Sequence, residues 1–165
     1  MGVGGSNRRG GSSRPSRAKG GGASGGLNGH AAPAKLAFTI PSDYQRGNEV
    51  QARILEAARE AGFAGEHFFG LRIALEEALV NAIKHGNGLD LNKKVHIAAK
   101  ITPRRIEVVV EDEGPGFHRG AVPDPTHEDN LTKTSGRGIL LIEAYMSSVK
   151  WDRGGRRLRM VREKK

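Results

Sequence analysis

A carboxylate at the end of a predicted strand, in the sequence VVVEDEGPGFHRG, is the most unusual feature of the chain. Val108 and Val110 point to one face of that strand, and Asp112 falls on the same face. A charged group at an inward position is costly unless it is paired or hydrogen-bonded. Asp112 is therefore either the first residue of a turn or an acceptor for a ligand within the core. In the second case, Gly114 and Gly116 would let the backbone approach that ligand closely.

A second group of polar residues lies on a predicted helix, in the sequence EEALVNAIKHG. Glu77 and Asn81 are four residues apart, so they lie one above the other on one face, and His85 continues the row. The row flanks the apolar stripe of the helix, so its polar groups are expected to be half-buried and to need partners. From this helix alone, the favoured interpretation is a boundary row that bonds locally and faces water.

Two glycines precede the last predicted helix, in the sequence TSGRGILLIEAYM. Gly136 and Gly138 would leave bare amides at the helix N-terminus, which is an anion site suited to phosphate. Ser135 is also an acceptable N-cap, in which case the glycines form an ordinary turn. A Gly-x-Gly sequence on its own is a weak signal.

Several common sites do not occur in the sequence. It has no G-x-x-x-x-G-K-[ST], and no HRD or DFG triplet accompanies the AIK of the second helix. The GPG after the predicted strand opens no helix, which argues against a Rossmann loop. The histidines are scattered without metal-ligand spacing. Any nucleotide or metal site must therefore be built differently.

The elements that position these residues follow from the hydrophobic periodicity. Apolar residues at helical spacing predict helices over 44–61, 66–85 and 138–146. Period-two alternation predicts strands over 35–41, 95–101 and 106–110, then a C-terminal hairpin of SSVKW and RRLRMVR with inward Val149, Trp151, Leu158 and Met160. Residues 114–136 form a long loop, which is often functional. The sequence predicts an α+β, two-layer sandwich with a mixed, mostly antiparallel sheet and about three helices on one face.

The composition predicts one folded domain, residues 34–165, preceded by a basic tail. Residues 1–33 are rich in Gly, Ser and Arg and carry +5 of the net charge of +9. Such a segment cannot bury enough surface to fold, so we expect it to be disordered. The favoured interpretation is a solvated tail, and contact with nucleic acid is the alternative. The chain has no cysteine and no apolar run of transmembrane length, so the expected location is the cytoplasm, without membrane contact.

Together, the three motifs resemble those of the GHKL ATPase superfamily, which includes gyrase and the histidine kinases. The stretch from Glu77 to Gly86 looks like the N box of that superfamily, DEGPG at 112–116 looks like its first glycine box, and SGRG at 135–138 looks like its second. The resemblance covers residues 35–162 and implies the superfamily's two-layer ATP-binding fold. Within the superfamily, this one-domain chain most resembles the bacterial anti-sigma-factor serine kinases.

The resemblance implies a role for each motif. Asp112 would accept a hydrogen bond from the adenine amino group, in a pocket shaped by Gly114 and Gly116. Asn81 would hold Mg²⁺ through its side-chain oxygen. Glu77, one helical turn earlier, would be the general base for the incoming hydroxyl.

The second glycine box would bind the phosphates of ATP. The amides of Gly136 and Gly138 would cradle the phosphate oxygens together with Ser135, and residues 117–135 would act as a lid. The related kinases usually carry an arginine before the Ser-Gly, where this chain has Thr134. Lys133 and Arg137 are the cations that would take its place.

The resemblance also implies the partners of the chain. The related kinases bind a sigma factor, phosphorylate a serine of a STAS-type anti-sigma-factor antagonist, and commonly form homodimers. A non-catalytic, ATP-gated binding module is the alternative to a kinase. A nucleic-acid-associated protein acting through its basic segments is the third hypothesis.

Overall fold

The computed structural model describes residues 32–117 and 136–165 as a five-stranded sheet covered on one face by three helices. The strands are β1 (Ala34–Pro41), β2 (Lys94–Ile101), β3 (Arg105–Asp112), β4 (Ser148–Asp152) and β5 (Arg157–Glu163). Their order is β1-β2-β3-β5-β4, and every pairing between them is antiparallel. The predicted α+β sandwich is confirmed, with a sheet that is antiparallel where a mixed one was expected.

Three predictions concern residues that lie outside these ranges. The disordered tail was predicted for 1–33, of which only residues 32 and 33 are described, and the lid for 117–135, of which only Phe117 is described. Lys133, Thr134 and Ser135 of the second glycine box also lie outside the described residues. The predictions made for them stay predictions.

The central hairpin is amphipathic. In β2 the inward residues Val95, Ile97, Ala99 and Ile101 are buried, and the residues between them are exposed. The β2–β3 register pairs Ile101 with Ile106 and Val95 with Asp112. Since a period of two puts alternate side chains on opposite faces, Asp112 is the last residue on the face that the helices cover.

The first helix, α1 (Tyr44–Glu60), has a defined signal at each end. The Asp43 carboxylate accepts a hydrogen bond of 2.6 Å from the backbone N–H of Gln45, as an N-cap residue does. Gly62 follows the helix with a φ of 82°, in the left-handed region that ends helices. Ile54 and Ala58, one turn apart, are fully buried against the sheet and α2 (Gly65–Val80).

The second helix ends differently from the prediction. The α-helical pattern stops at Val80, and Asn81–Gly86 form a π-helical turn, in which the N–H of Asn87 bonds to the Ala82 carbonyl at 2.9 Å. The spacing from Glu77 to Asn81 stays α-helical because the N–H of Asn81 bonds to the Glu77 carbonyl. His85 therefore does not continue the Glu77–Asn81 row with α-helical spacing. Such π turns are frequent at functional sites.

The third helix, α3 (Arg137–Tyr145), packs against α2 and leads into the β4–β5 hairpin. Arg162 of β5, 12% exposed at its side chain, donates to the Tyr145 carbonyl at the end of α3. It also donates to His67 Nδ1 of α2 at 3.2 Å. Arg162 thus joins both helices to the sheet. Within residues 32–117 and 136–165, no helix is long and apolar enough to cross a membrane.

The opposite face of the sheet is open and charged. Glu107 of β3 lies between Arg159 of β5, at 2.9 Å, and Arg105, at 3.0 Å. Hydrogen bonding from Arg159, the largest cause, and from Arg105 lowers the pKa of Glu107. Of the predicted inward residues of the C-terminal hairpin, Leu158 and Met160 are buried, whereas Val149 and Trp151 are half-buried.

Candidate functional site

A cavity of about 600 Å³ opens between the helices and one end of the sheet. This volume is in the range of small-ligand pockets. One side of the cavity is formed by Gly86, Asp112, Gly114 and Gly116, which we call the strand end. The other side is formed by Glu77, Asn81, Gly136, Arg137 and Gly138, which we call the helix end. All of these residues except Gly114 line the cavity directly, and Gly114 lies against Gly86 and Asp112.

Asp112 is both an inward strand residue and part of a turn. It closes β3, and its Oδ1 accepts a hydrogen bond of 2.8 Å from the N–H of Gly114. Burial raises the pKa of its carboxyl group, and the Gly114 N–H and the nearby Arg156 partly offset this effect. The two interpretations of the sequence are therefore compatible, since the carboxylate turns the chain and still faces the cavity.

At the strand end, the segment that contains Gly86 crosses the segment 112–116 so closely that no side chain fits between them. A β-carbon on Gly114 would collide with the carbonyl oxygen of Gly86. A β-carbon on Gly86 would collide with the Asp112 carboxylate. Gly116 has a φ of 79°, and a β-carbon there would collide with the carbonyl of Gly154. The glycines are thus required by close backbone packing, which brings the Asp112 carboxylate to the cavity wall.

The helix end joins two polar side chains of the second helical segment to α3. A β-carbon on Gly138 would collide with Glu77 Oε2 and would lie 3.7 Å from Asn81 Nδ2. Burial, and to a smaller extent the charge of Glu76, raise the pKa of Glu77. Asn81 Nδ2 is buried and has no hydrogen-bond partner within residues 32–117 and 136–165. An unpaired buried amide is costly, so Asn81 marks this end of the cavity as a candidate ligand site.

The N-terminus of α3 is also open toward the cavity. Gly136 precedes the helix with a φ of 95° and supplies no side-chain cap. Amide groups at such an end carry partial positive charge and favour anions. Arg137, the first residue of α3, lines the cavity beside them. The helix end therefore combines anion-binding amides with a carboxylate and an amide side chain.

The structure adds cavity residues that the sequence did not indicate as functional. Trp151 and Phe117 meet edge to face at a centroid distance of 4.8 Å, and both line the cavity. Arg156 lines it near Asp112, whose backbone N–H bonds to the Arg156 carbonyl at 3.0 Å. The sequence signal for this wall is the Gly154–Gly155 pair inside the C-terminal hairpin, because a β-carbon on Gly155 would collide with the backbone of Phe117.

The chain belongs to the family of the histidine kinase-like ATPase domain, whose family model matches residues 40–162. Membership of an ATPase domain family implies the use of ATP. The predicted resemblance to the GHKL ATPases is thereby confirmed.

Among the curated relatives, the chain is similar to serine-protein kinases and an anti-sigma factor. It is 26% identical over 121 residues to the serine-protein kinase RsbW of Bacillus subtilis, and the alignment covers 70% of this chain and 76% of that protein. It is 31% identical over 120 residues to the anti-sigma F factor of Shouchella clausii, with 70% and 79% covered. It is 31% identical over 122 residues to RsbW of Listeria innocua, with 70% and 78% covered.

A solved structure supports the fold. The crystal structure of the RsbU and RsbW domains of a Mycobacterium tuberculosis protein superposes with a TM-score of 0.53 at 18% identity. The match covers 78% of this chain and 30% of that longer one. At this identity the likeness concerns the arrangement of helices and strands.

Proposed function

We propose that this protein is a serine-protein kinase and an anti-sigma factor of the partner-switching type. It would transfer the γ-phosphate of ATP to a serine of a STAS-type anti-sigma-factor antagonist. The names of its relatives, RsbW serine-protein kinase and anti-sigma F factor, support this class of activity. The observation that carries the proposal is the helix end, where Glu77 and Asn81 meet the open N-terminus of α3.

The strand end is suited to hold the adenine base. Asp112 would accept a hydrogen bond from the exocyclic amino group, because its carboxylate faces the cavity and only the Gly114 N–H donates to it among the described residues. Gly114 and Gly116 have no side chain to occupy the space next to the sheet, so the base would be able to lie against the backbone there. Val110 and Leu158 would supply an apolar floor.

The helix end is suited to hold Mg²⁺ and the phosphates. Asn81 would be the protein ligand of the metal through its side-chain oxygen, because it lines the cavity close to Gly138 at the start of α3. When bound, Mg²⁺ neutralises charge on the phosphate oxygens. The amides of Gly136 and Gly138 would hold the phosphates at the start of α3, with Ser135, Lys133 and Arg137 as further contacts.

Glu77 would act as the general base. Its raised pKa makes it a stronger proton acceptor than an exposed glutamate. It would take the proton of the serine hydroxyl as the serine oxygen bonds to the γ-phosphorus. The bond from that phosphorus to the bridging oxygen breaks, and ADP leaves with the bond electrons.

The partners follow from the same class of activity. A sigma factor and a STAS-domain antagonist are the proteins that an anti-sigma kinase would bind in turn, with the nucleotide state deciding between them. A homodimer and a contact between the basic tail and nucleic acid stay predictions.

The decisive experiment is a transfer assay with ATP and a cognate STAS protein. We expect Glu77→Ala to lower the rate of serine phosphorylation by about 100-fold or more while ATP affinity is kept. Glu76→Ala is the matched control, because Glu76 is the neighbouring, exposed glutamate. An unchanged rate in Glu77→Ala would rule out the base role.

The same assay separates the kinase from a binding module. ATP binding by the wild-type protein with no phosphorylation of any STAS partner would favour a non-catalytic, ATP-gated regulator. The cavity and the fold would then still serve nucleotide binding, and only the transfer step would be lost from the proposal.

A further inference from the structure

The strand end is supported by a buried amide that the sequence motifs do not single out. Asn87 directly follows the π turn and is 2% exposed. Within the described ranges, it and Ser42 are the polar residues that are buried. A buried amide needs several partners to offset its loss of water, so its contacts show what it holds in place.

All hydrogen-bonding groups of the Asn87 side chain are used. Its Nδ2 donates to Ser42 Oγ at 2.9 Å and to the Lys94 carbonyl at 2.8 Å. Its Oδ1 accepts a hydrogen bond of 2.8 Å from the backbone N–H of Glu113. One side chain therefore connects the segment after β1, the first residue of β2 and the residue after Asp112.

These contacts fix both segments that cross at the strand end. Gly86 precedes Asn87 in the chain, and Glu113 stands between Asp112 and Gly114. The carbonyl of Gly86 lies against Gly114, and the Asp112 carboxylate lies against Gly86. The hydrogen bond from Glu113 to Asn87 thus ties the two crossing segments together at the point where the Asp112 carboxylate faces the cavity.

We infer that Asn87 is a positioning residue for base recognition, which sets the position of Asp112 toward the adenine amino group. This inference rests on the proposed function, since it takes Asp112 as the contact for that group. Truncation of Asn87 would leave the Glu113 N–H unpaired and free the turn after β3 to move. Asp112 would then lose its alignment, although its own side chain is unchanged.

The test compares ATP with purine riboside triphosphate, which lacks the amino group. We expect Asn87→Ala to weaken ATP binding by about tenfold and to leave binding of the analogue within about twofold, and we expect the same pattern for the reference variant Asp112→Asn. Asn92→Ala is the matched control, since it is the same change in the same loop at an exposed side chain. Thermal unfolding is measured in parallel for each variant.

A general loss of stability gives a different pattern. If Asn87 were merely structural, Asn87→Ala would lower the affinity for both nucleotides alike, or for neither, and the inference would be overturned. If Asn87→Ala does not fold, Ser42→Ala removes one of the two acceptors of Asn87 Nδ2. It is expected to reduce the preference for ATP over the analogue by about threefold, and an unchanged preference would overturn the inference.

Wild-type protein and the Asp112→Asn variant separate this inference from the proposed function. If wild-type protein does not prefer ATP to the analogue, the assignment of the amino-group contact to Asp112 fails, and the inference fails with it. If Asp112→Asn abolishes the preference and Asn87→Ala preserves it, only the inference about Asn87 fails.

Discussion

The two ends of the cavity are built in opposite ways. At the strand end, backbone segments cross at glycines, and the buried amide of Asn87 has a partner for every hydrogen-bonding group. At the helix end, Asn81 Nδ2 has no hydrogen-bond partner among the described residues, and a β-carbon on Gly138 would meet the Glu77 side chain and not backbone. A closely packed end on a fully bonded support is suited to recognise one shape, whereas an end that gathers a carboxylate, an amide side chain and a helix N-terminus is suited to chemistry. Recognition and catalysis are therefore expected to respond to different kinds of substitution.

The largest effect is expected from Gly114→Ala. The added β-carbon would collide with the Gly86 carbonyl, which is backbone and cannot swing aside. We expect a loss of about 3 kcal/mol in the free energy of unfolding, as in overpacked cores, together with a loss of ATP binding. Chemical denaturation and calorimetric titration with ATP measure the two effects.

Gly88→Ala is the control for Gly114→Ala. Gly88 has a φ of 63° and open space around the position of a β-carbon, so the change adds backbone strain without a collision. We expect a cost of about 1 kcal/mol and unchanged ATP affinity. Equal costs for the two substitutions would mean that the crossing is not closely packed.

At the helix end, Gly138→Ala is expected to affect rate more than stability. Its β-carbon would meet the Glu77 carboxylate, a flexible side chain that can move away. Displacing a general base by about 1 Å can slow a reaction by about 100-fold, so we expect slower serine phosphorylation with a melting temperature close to that of the wild type. If Gly138→Ala unfolds the protein as Gly114→Ala does, the contrast between the two ends is wrong.

The carboxylates at the two ends are expected to affect different measured quantities as the pH changes. The pKa values of Glu77 and Asp112 are both raised, mainly by burial. Each carboxylate acts in its ionised form. Protonation of Glu77 should therefore lower the transfer rate at saturating ATP, and protonation of Asp112 should lower the ATP affinity. Both decreases should begin at a higher pH than they would for exposed carboxylates. The free energy of unfolding should change in the opposite direction. Ionising a carboxyl group with a raised pKa destabilises the fold, so the contribution of these two groups to stability increases as the pH falls.

The assignment of each titration can be checked with neutral variants. In Glu77→Gln, the transfer rate should no longer fall on acidification, whereas the ATP affinity should still fall. In Asp112→Asn, the ATP affinity should no longer fall on acidification. An acidic limb of ATP affinity that persists in Asp112→Asn would contradict the assignment to the strand end.

The smallest effect is expected on the open face of the sheet. Glu107→Gln weakens contacts with Arg105 and Arg159, which are exposed to solvent. Exposed ion pairs contribute about 0–1 kcal/mol, so we expect a destabilisation of less than about 1 kcal/mol that shrinks at high salt. ATP affinity should not change. A change in affinity would show that the cavity depends on the far side of the sheet.

Much of this fold is predictable from the sequence because its signals are local. Period-two alternation placed β2 and β3, and Asp112 was assigned to the inward face from the same alternation. The end of α1 is equally local, because Gly62 follows the helix and adopts the left-handed conformation that commonly ends one. These features depend on neighbours in the chain, which a sequence pattern records.

The missed features depend on partners that are distant in sequence. The π turn after Val80 brings Asn87 to Ser42, 45 residues away, and to Glu113, 26 residues away. No local pattern distinguishes this asparagine from an ordinary helix stop. Trp151 was interpreted as a core residue for the same reason, since its meeting with Phe117 follows from the close approach of Gly116 to Gly154.

The place of Trp151 has a practical consequence. It is the only tryptophan in the chain, and it lies in the wall of the cavity, where its indole Nε1 is buried and has no hydrogen-bond partner in the described part of the chain. Intrinsic fluorescence of the unmodified protein therefore comes from one indole beside the proposed nucleotide. A ligand that enters the cavity changes the surroundings of that indole, so the intensity and wavelength of its emission report occupancy without an added label.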